Sequence, residues 1–139
     1  MSDDGSRLHP SEFDVSILEQ LALDMDESII LTVLTMFLAD GQELIDQIKL
    51  VLASGDDDAL GKIAHKLKGN TATCGQTGLS RILHDCENSI RAGDRSKGRE
   101  HARAFLAMAP AGFESLSNYL ESLKRQSAQK ASLKDKDRR

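Results

Sequence analysis

The sequence has few aromatic residues, 4% with no tryptophan and one tyrosine, and only two prolines and two cysteines in 139 residues. Several patterns are missing altogether. No uninterrupted apolar run approaches the roughly 18 residues needed to cross a bilayer, and the polar N-terminus lacks the apolar region of a signal peptide. A membrane span is therefore not expected, and a cytoplasmic location is. There is no alternating apolar pattern of useful strand length and no internal repeat, which leaves helices. No glycine-rich phosphate loop, nucleotide-binding signature or Ser-His-Asp candidate tied to a pocket is present, so the chain is not expected to bind ATP. None of the four histidines falls in a Glu-x-x-His or His-x-x-x-His pair, which removes the ligands of a carboxylate-bridged di-metal bundle, and no metal site is expected. His9 lies in the polar N-terminus, and His84 and His101 lie off the apolar stripes of their helices.

What is present suits one soluble globular domain. The length allows a single core, with 40% apolar and 29% charged residues. The net charge of −4 is unevenly spread, because from Lys124 onward seven Lys or Arg stand against two Asp, and the rest carries the acidic excess. An acidic body repels DNA, so no nucleic-acid partner is expected. Cys74 and Cys86 both fall on apolar faces and are expected as buried, reduced thiols.

The chain is organised around Ala59 to Cys74, ALGKIAHKLKGNTATC. On a helix, Leu60, Ile63, Ala64, Leu67, Thr71 and Cys74 gather on one face, which predicts burial. His65 falls on the opposite side with Lys62 and Lys68 one turn away on either side, and Gly61, Gly69 and Ala72 leave that outer face bare. A mid-helix glycine costs about 1 kcal/mol against alanine, so two of them bracketing an exposed histidine imply room for another protein. An exposed histidine flanked by cations is a candidate nucleophile for a group carried in by a partner.

Around this centre the helices can be read in order. Residues 1–12 form a polar segment expected to be mobile. Asp14 can cap a short helix through about Leu23, preceded by Phe13. From about Asp26 to Ala53, apolar residues from Ile29 to Leu52 recur at three- and four-residue spacing, giving a long amphipathic helix. Leu31, Met36 and Leu38 lie at or beyond the edge of its core stripe, and Gly41 clears space. They read either as a wide buried stripe or as an exposed patch beside His65 on which a partner docks. Gly55 ends this helix, and Asp56, Asp57 or Asp58 caps the helix carrying His65. A bend near Thr77-Gly78 leads to a helix with Leu79, Ile82, Leu83, Cys86 and Ile90 inward, ending at Ala92-Gly93. The last region, from about Arg95 to Leu123, is interrupted by Pro110, which predicts a kink or two helices meeting near Ala109; the continuing apolar phase favours the kink. The basic tail, 127–139, has little to bury and is expected to be disordered. The predicted architecture is an all-α antiparallel four-helix bundle over 13–126, with a short extra N-terminal helix.

The run Ala64-His65-Lys66-Leu67-Lys68-Gly69, followed by small residues and then Gly75 and Leu79, resembles the signature of histidine-containing phosphotransfer (HPt) domains of two-component phosphorelays. With the helices on both sides, the resemblance covers roughly Phe13 to Leu123. It implies that His65 takes a phosphoryl group from a receiver-domain aspartate and passes it to another receiver. Lys68 then matches the cation that favours transfer, and Gly69 the residue that lets the partner approach. The family also orients the histidine through a Gln or Glu on the following helix. Counting forward without gaps places Glu87 there. Partner docking is assigned to Gly61, Lys62, Gly69, Ala72, Leu38 and Gly41.

The expected partners are response-regulator receiver domains or a hybrid sensor histidine kinase, with Mg²⁺ on the receiver, no cofactor on this chain, and a monomeric carrier. Two alternatives remain: direct phosphorylation by a kinase domain, which Glu87 favours because the chemotaxis branch of the family carries Glu there, and a helical adaptor that does not transfer phosphate.

Overall fold

The computed structural model describes residues 13–137, with side chains described through Leu133. The expected mobile segment 1–12, with His9, lies outside the described residues. Among the described residues the chain forms α1 (Val15–Asp24), α2 (Glu27–Ser54), α3 (Asp57–Thr73), α4 (Thr77–Arg91) and α5 (Arg95–Asp137). The connections are too short for anything but reversal of direction, so α2 to α5 run up and down as the predicted bundle.

Local signals set the helix ends. The Asp14 carboxylate accepts from the Ser16 N–H at 3.1 Å and caps α1. Gly55 takes the left-handed conformation, φ 79°, and its N–H bonds to the Val51 carbonyl, which stops α2. Asp56, of the three candidate aspartates, caps α3 by accepting from the Ala59 N–H at 3.1 Å. Gly75 makes the turn into α4 at φ 78°, and a Cβ there would lie 2.5 Å from the Asp14 carbonyl oxygen. The Asp14 N–H donates to the Gly75 carbonyl at 2.7 Å, so the start of α1 is stitched to the turn between α3 and α4.

Pro110 lies inside a single helix, α5, so of the two expectations for this region the split is not what forms. The tail expected to be disordered, 127–139, is helical where it is described: α5 continues from Ser127 to Asp137, and 138–139 lie outside the described residues. Residues 127–133 include Ala128, Gln129, Lys130, Ala131 and Leu133, which carry low helical penalty, and they extend a helix already nucleated and packed.

Two hydrophobic clusters hold the fold. The larger joins α2 to α5 through Ile45, Ile48, Leu60, Ile63, Ala64, Leu67, Leu79, Leu83, Cys86, Ala102, Phe105 and Ala109. The smaller lies at the end crossed by α1 and joins Leu18, Ile30, Leu34, Cys74, Leu116 and Leu120, with Phe13, Phe37 and Tyr119 against it. By length and composition α2 could cross a membrane; here Ile30, Leu34, Ile45 and Ile48 are buried against the other helices. Both cysteines are free and buried. Burial pushes the Cys74 thiol up to about 12 and the Cys86 thiol up to about 11, where the neighbouring Glu87 charge adds to it, so both stay protonated at neutral pH.

Candidate functional site

The α3 stripe folds as its spacing requires: Leu60, Ile63, Ala64, Leu67, Thr71 and Cys74 are all buried. The opposite face carries His65, whose side chain is 64% exposed. Beside it runs α4, which brings Glu87 under the ring. The Glu87 side chain is only 6% exposed and is surrounded by donors. Its Oε2 lies 2.8 Å from His65 Nδ1 and 2.6 Å from Arg91 Nη2, and its Oε1 accepts from Lys68 Nζ at 2.8 Å.

This arrangement has definite chemistry. An ionised carboxylate only accepts, so the hydrogen shared with His65 belongs to Nδ1. In a neutral ring that leaves the lone pair on Nε2, on the side of the ring away from Glu87. Burial works to raise the Glu87 carboxyl. The hydrogen bonds from Lys68 and His65, with their charges, outweigh it and hold the carboxyl below the ordinary glutamate range. Glu87 is therefore a fixed anion at neutral pH.

Two shallow grooves mark this face. His65 and Glu87 line one of them together with Asp58, Gly61, Lys62, Lys66, Ile90 and Arg91. The other is lined by Ile17 of α1, by Lys68, Gly69 and Ala72 of α3, and by Thr77, Ser80, Arg81 and His84 of α4. A Cβ at Gly69 would meet nothing within 4 Å, so this glycine leaves open surface next to the histidine.

Other residues assigned to docking are placed differently. Gly41 is buried, and a Cβ on it would lie 2.6 Å from the Phe113 ring and 3.2 Å from Asn70 Oδ1, so this glycine lets α2 approach α3 and α5 and does not clear a docking face. A Cβ on Gly61 would lie 3.1 Å from Ile90, so Gly61 serves the close approach of α3 and α4 at the groove floor. Leu38 and Leu31 are half-buried against the smaller cluster, which is the wide-stripe alternative, while Met36 is exposed.

Two features escaped the sequence reading. Arg91 shares a carboxylate oxygen with His65; its one sequence signal is the i, i+4 spacing from Glu87. Buried Asp57, at the start of α3, pairs with Arg99 at 2.6 Å and with Arg95 at 3.6 Å. The Arg99 hydrogen bond offsets burial and holds the Asp57 carboxyl below its ordinary range. The pair anchors the N-terminal end of α3 to α5, across 42 residues of sequence. Nothing short-range in the sequence announces it.

A family model described as Hpt domain matches residues 32–126, from within α2 to within α5. Among solved structures, the chain is similar to the crystal structure of histidine-containing phosphotransfer protein B (HptB) from Pseudomonas aeruginosa PAO1. The TM-score is 0.69 at 23% identity, over 83% of this chain and 96% of that one. At that identity the likeness is one of fold. No curated protein matches the sequence.

Proposed function

The chain belongs to the Hpt domain family, a family of phosphotransfer carriers in two-component signalling, and from that premise we propose that His65 is its phosphoacceptor in a phosphorelay between receiver domains. The observation that carries this reading is the contact between His65 Nδ1 and buried Glu87 at 2.8 Å beneath an exposed ring. It holds the proton on the inner nitrogen and leaves the outer one free to attack.

In the proposed step the Nε2 lone pair attacks the phosphorus of an aspartyl phosphate on a receiver. The N–P bond forms as the acyl P–O bond breaks, and the aspartate leaves as a carboxylate. Because Nδ1 keeps its proton, the ring becomes positive as the N–P bond forms, and the Glu87 anion is already in place to balance that charge. Lys68, one helical turn from His65, offers a cation to the oxygens of the transferring group, and Gly69 and Ala72 leave room for the receiver. The reverse step, onto the aspartate of a second receiver, needs the same groups. Mg²⁺ and both aspartates belong to the receivers.

The test is phosphotransfer from a panel of phosphorylated receivers to the wild-type protein and to His65→Gln, reading acid-labile, base-stable phosphate. Label on the wild type alone supports the shuttle and names its donor. Label on neither, with competent receivers, rejects it. Direct phosphorylation by a histidine kinase domain is the second reading, supported by the glutamate at this position, and label appearing only with kinase and ATP would select it.

A further inference from the structure

A glutamate under the phosphoacceptor raises a problem that a glutamine would not. An anion on Nδ1 orients the ring, but it also stabilises imidazolium, and a protonated ring has no lone pair on Nε2 with which to attack. The structure places two cations on the same carboxylate: Lys68 on Oε1 and Arg91 on Oε2, the oxygen that also faces His65. We propose that Arg91 is a positioning residue that offsets the charge of Glu87 at its shared oxygen, so that the carboxylate orients His65 without holding it as imidazolium. This inference rests on the reading of His65 as the phosphoacceptor.

The surrounding charges leave this role to Arg91. The groove lined by the ring also holds Asp58, Lys62 and Lys66 from α3, and Glu87 and Arg91 from α4, while the neighbouring groove holds Lys68, Arg81 and His84. Arg95 of α5 reaches the groove only through Asp58, at 3.5 Å. Lys68 donates to the other oxygen with one of its three N–H groups and keeps the rest for the transferring group. Arg91 is the cation on the His65 side of the carboxylate, and its side chain is 71% exposed, so solvent and salt screen its effect.

The experiment uses the full chain with Arg91→Gln, which keeps a hydrogen-bond donor and loses the charge, and Arg91→Lys, which keeps the charge. Transfer from a phosphorylated receiver is followed from about pH 6 to pH 9, across the range in which histidines titrate. The Gln variant should lose roughly two- to fivefold in rate at the acid end, the scale of an exposed ion pair, and match the wild type at the alkaline end. Its acid limb should move to higher pH, and the Lys variant should restore it. The His65 ring proton signals of the unphosphorylated protein, which need no receiver, should titrate at higher pH in the Gln variant.

An unmoved acid limb with unmoved ring signals overturns the proposal. So does an equal loss at every pH, which would place Arg91 in direct contact with the receiver or its phosphoryl group. Moved ring signals in a protein that no receiver phosphorylates would support the charge-balancing role and reject the phosphoacceptor reading on its own.

Discussion

The two hydrophobic clusters differ in what is buried beside them. The larger one, under His65, has two buried carboxylates, Asp57 and Glu87, each held by cations from another helix or turn. The smaller one, where α1 crosses the bundle, has no buried carboxylate among the described residues, and Val15, Leu23, Ile29 and Met36 stand exposed on α1 and α2, two of the helices that build it. A buried carboxylate costs free energy unless its partners are well placed, so apolar packing is the easier way to stabilise a helix end. The chain departs from that only beside α3, the helix that carries His65. Asp57 ties the start of α3 to α5 and Glu87 fixes how its histidine is turned, so charge is buried where orientation has to be held.

The largest expected effect tests whether the cluster under the site dominates stability. Phe105→Ala should cost about 3–5 kcal/mol, the range for removing a buried aromatic, measured as the change in urea midpoint at constant slope. Leu18→Ala should fall toward the lower part of the roughly 2–5 kcal/mol range for buried leucine, because an end cluster can collapse onto the gap. A larger loss for Leu18→Ala than for Phe105→Ala would invert the comparison.

Acid should act on the same contrast less strongly. The folded-state carboxyls of Asp57 and Glu87 lie below their ordinary values, so the stability they contribute is complete above the ordinary carboxylate range, near pH 4. It is lost as pH falls through their lower folded values. Amide exchange below about pH 4 should therefore quicken in α3 and the start of α5 before it does in α1. Glu87→Gln should flatten that acid dependence. Earlier loosening of α1 would show that the buried carboxylates do not set the acid response.

The smallest effect falls on His65 itself. His65→Gln should lower unfolding free energy by about 0.5–1.5 kcal/mol, the scale of one hydrogen bond, because Lys68 and Arg91 stay on the Glu87 carboxylate, and its circular dichroism should match the wild type. A loss of several kilocalories would mean that the ring is part of the packing between α3 and α4.

Most of the α3 site was legible in the sequence, because helical periodicity puts His65 opposite Leu60, Ala64 and Leu67 whatever the rest of the chain does. Glu87 followed from counting along the resemblance, since the short turn at Gly75 and Gln76 leaves little freedom in the register of α4. The glycines were harder. A missing side chain shows that something comes close without showing from which side, so Gly69 faces open surface while Gly41 faces Phe113. The Asp57–Arg99 pair depends on how whole helices meet, and so does the nearness to His65 of Arg91, whose own pairing with Glu87 lies within α4. The helical continuation past Ser127 depends on a nucleus supplied by packing upstream, which composition alone does not register.

Among the described residues nothing covers His65: its side chain is 64% exposed at a shallow groove on the surface of α3 and α4. A phosphoryl group carried there would be as accessible to water as to an acceptor. Its lifetime would then run as a clock, reset by each donor and stopped by whichever arrives first, hydrolysis or a docking receiver. If His65 carries the group as proposed, the concentration of acceptor decides how much of the signal survives.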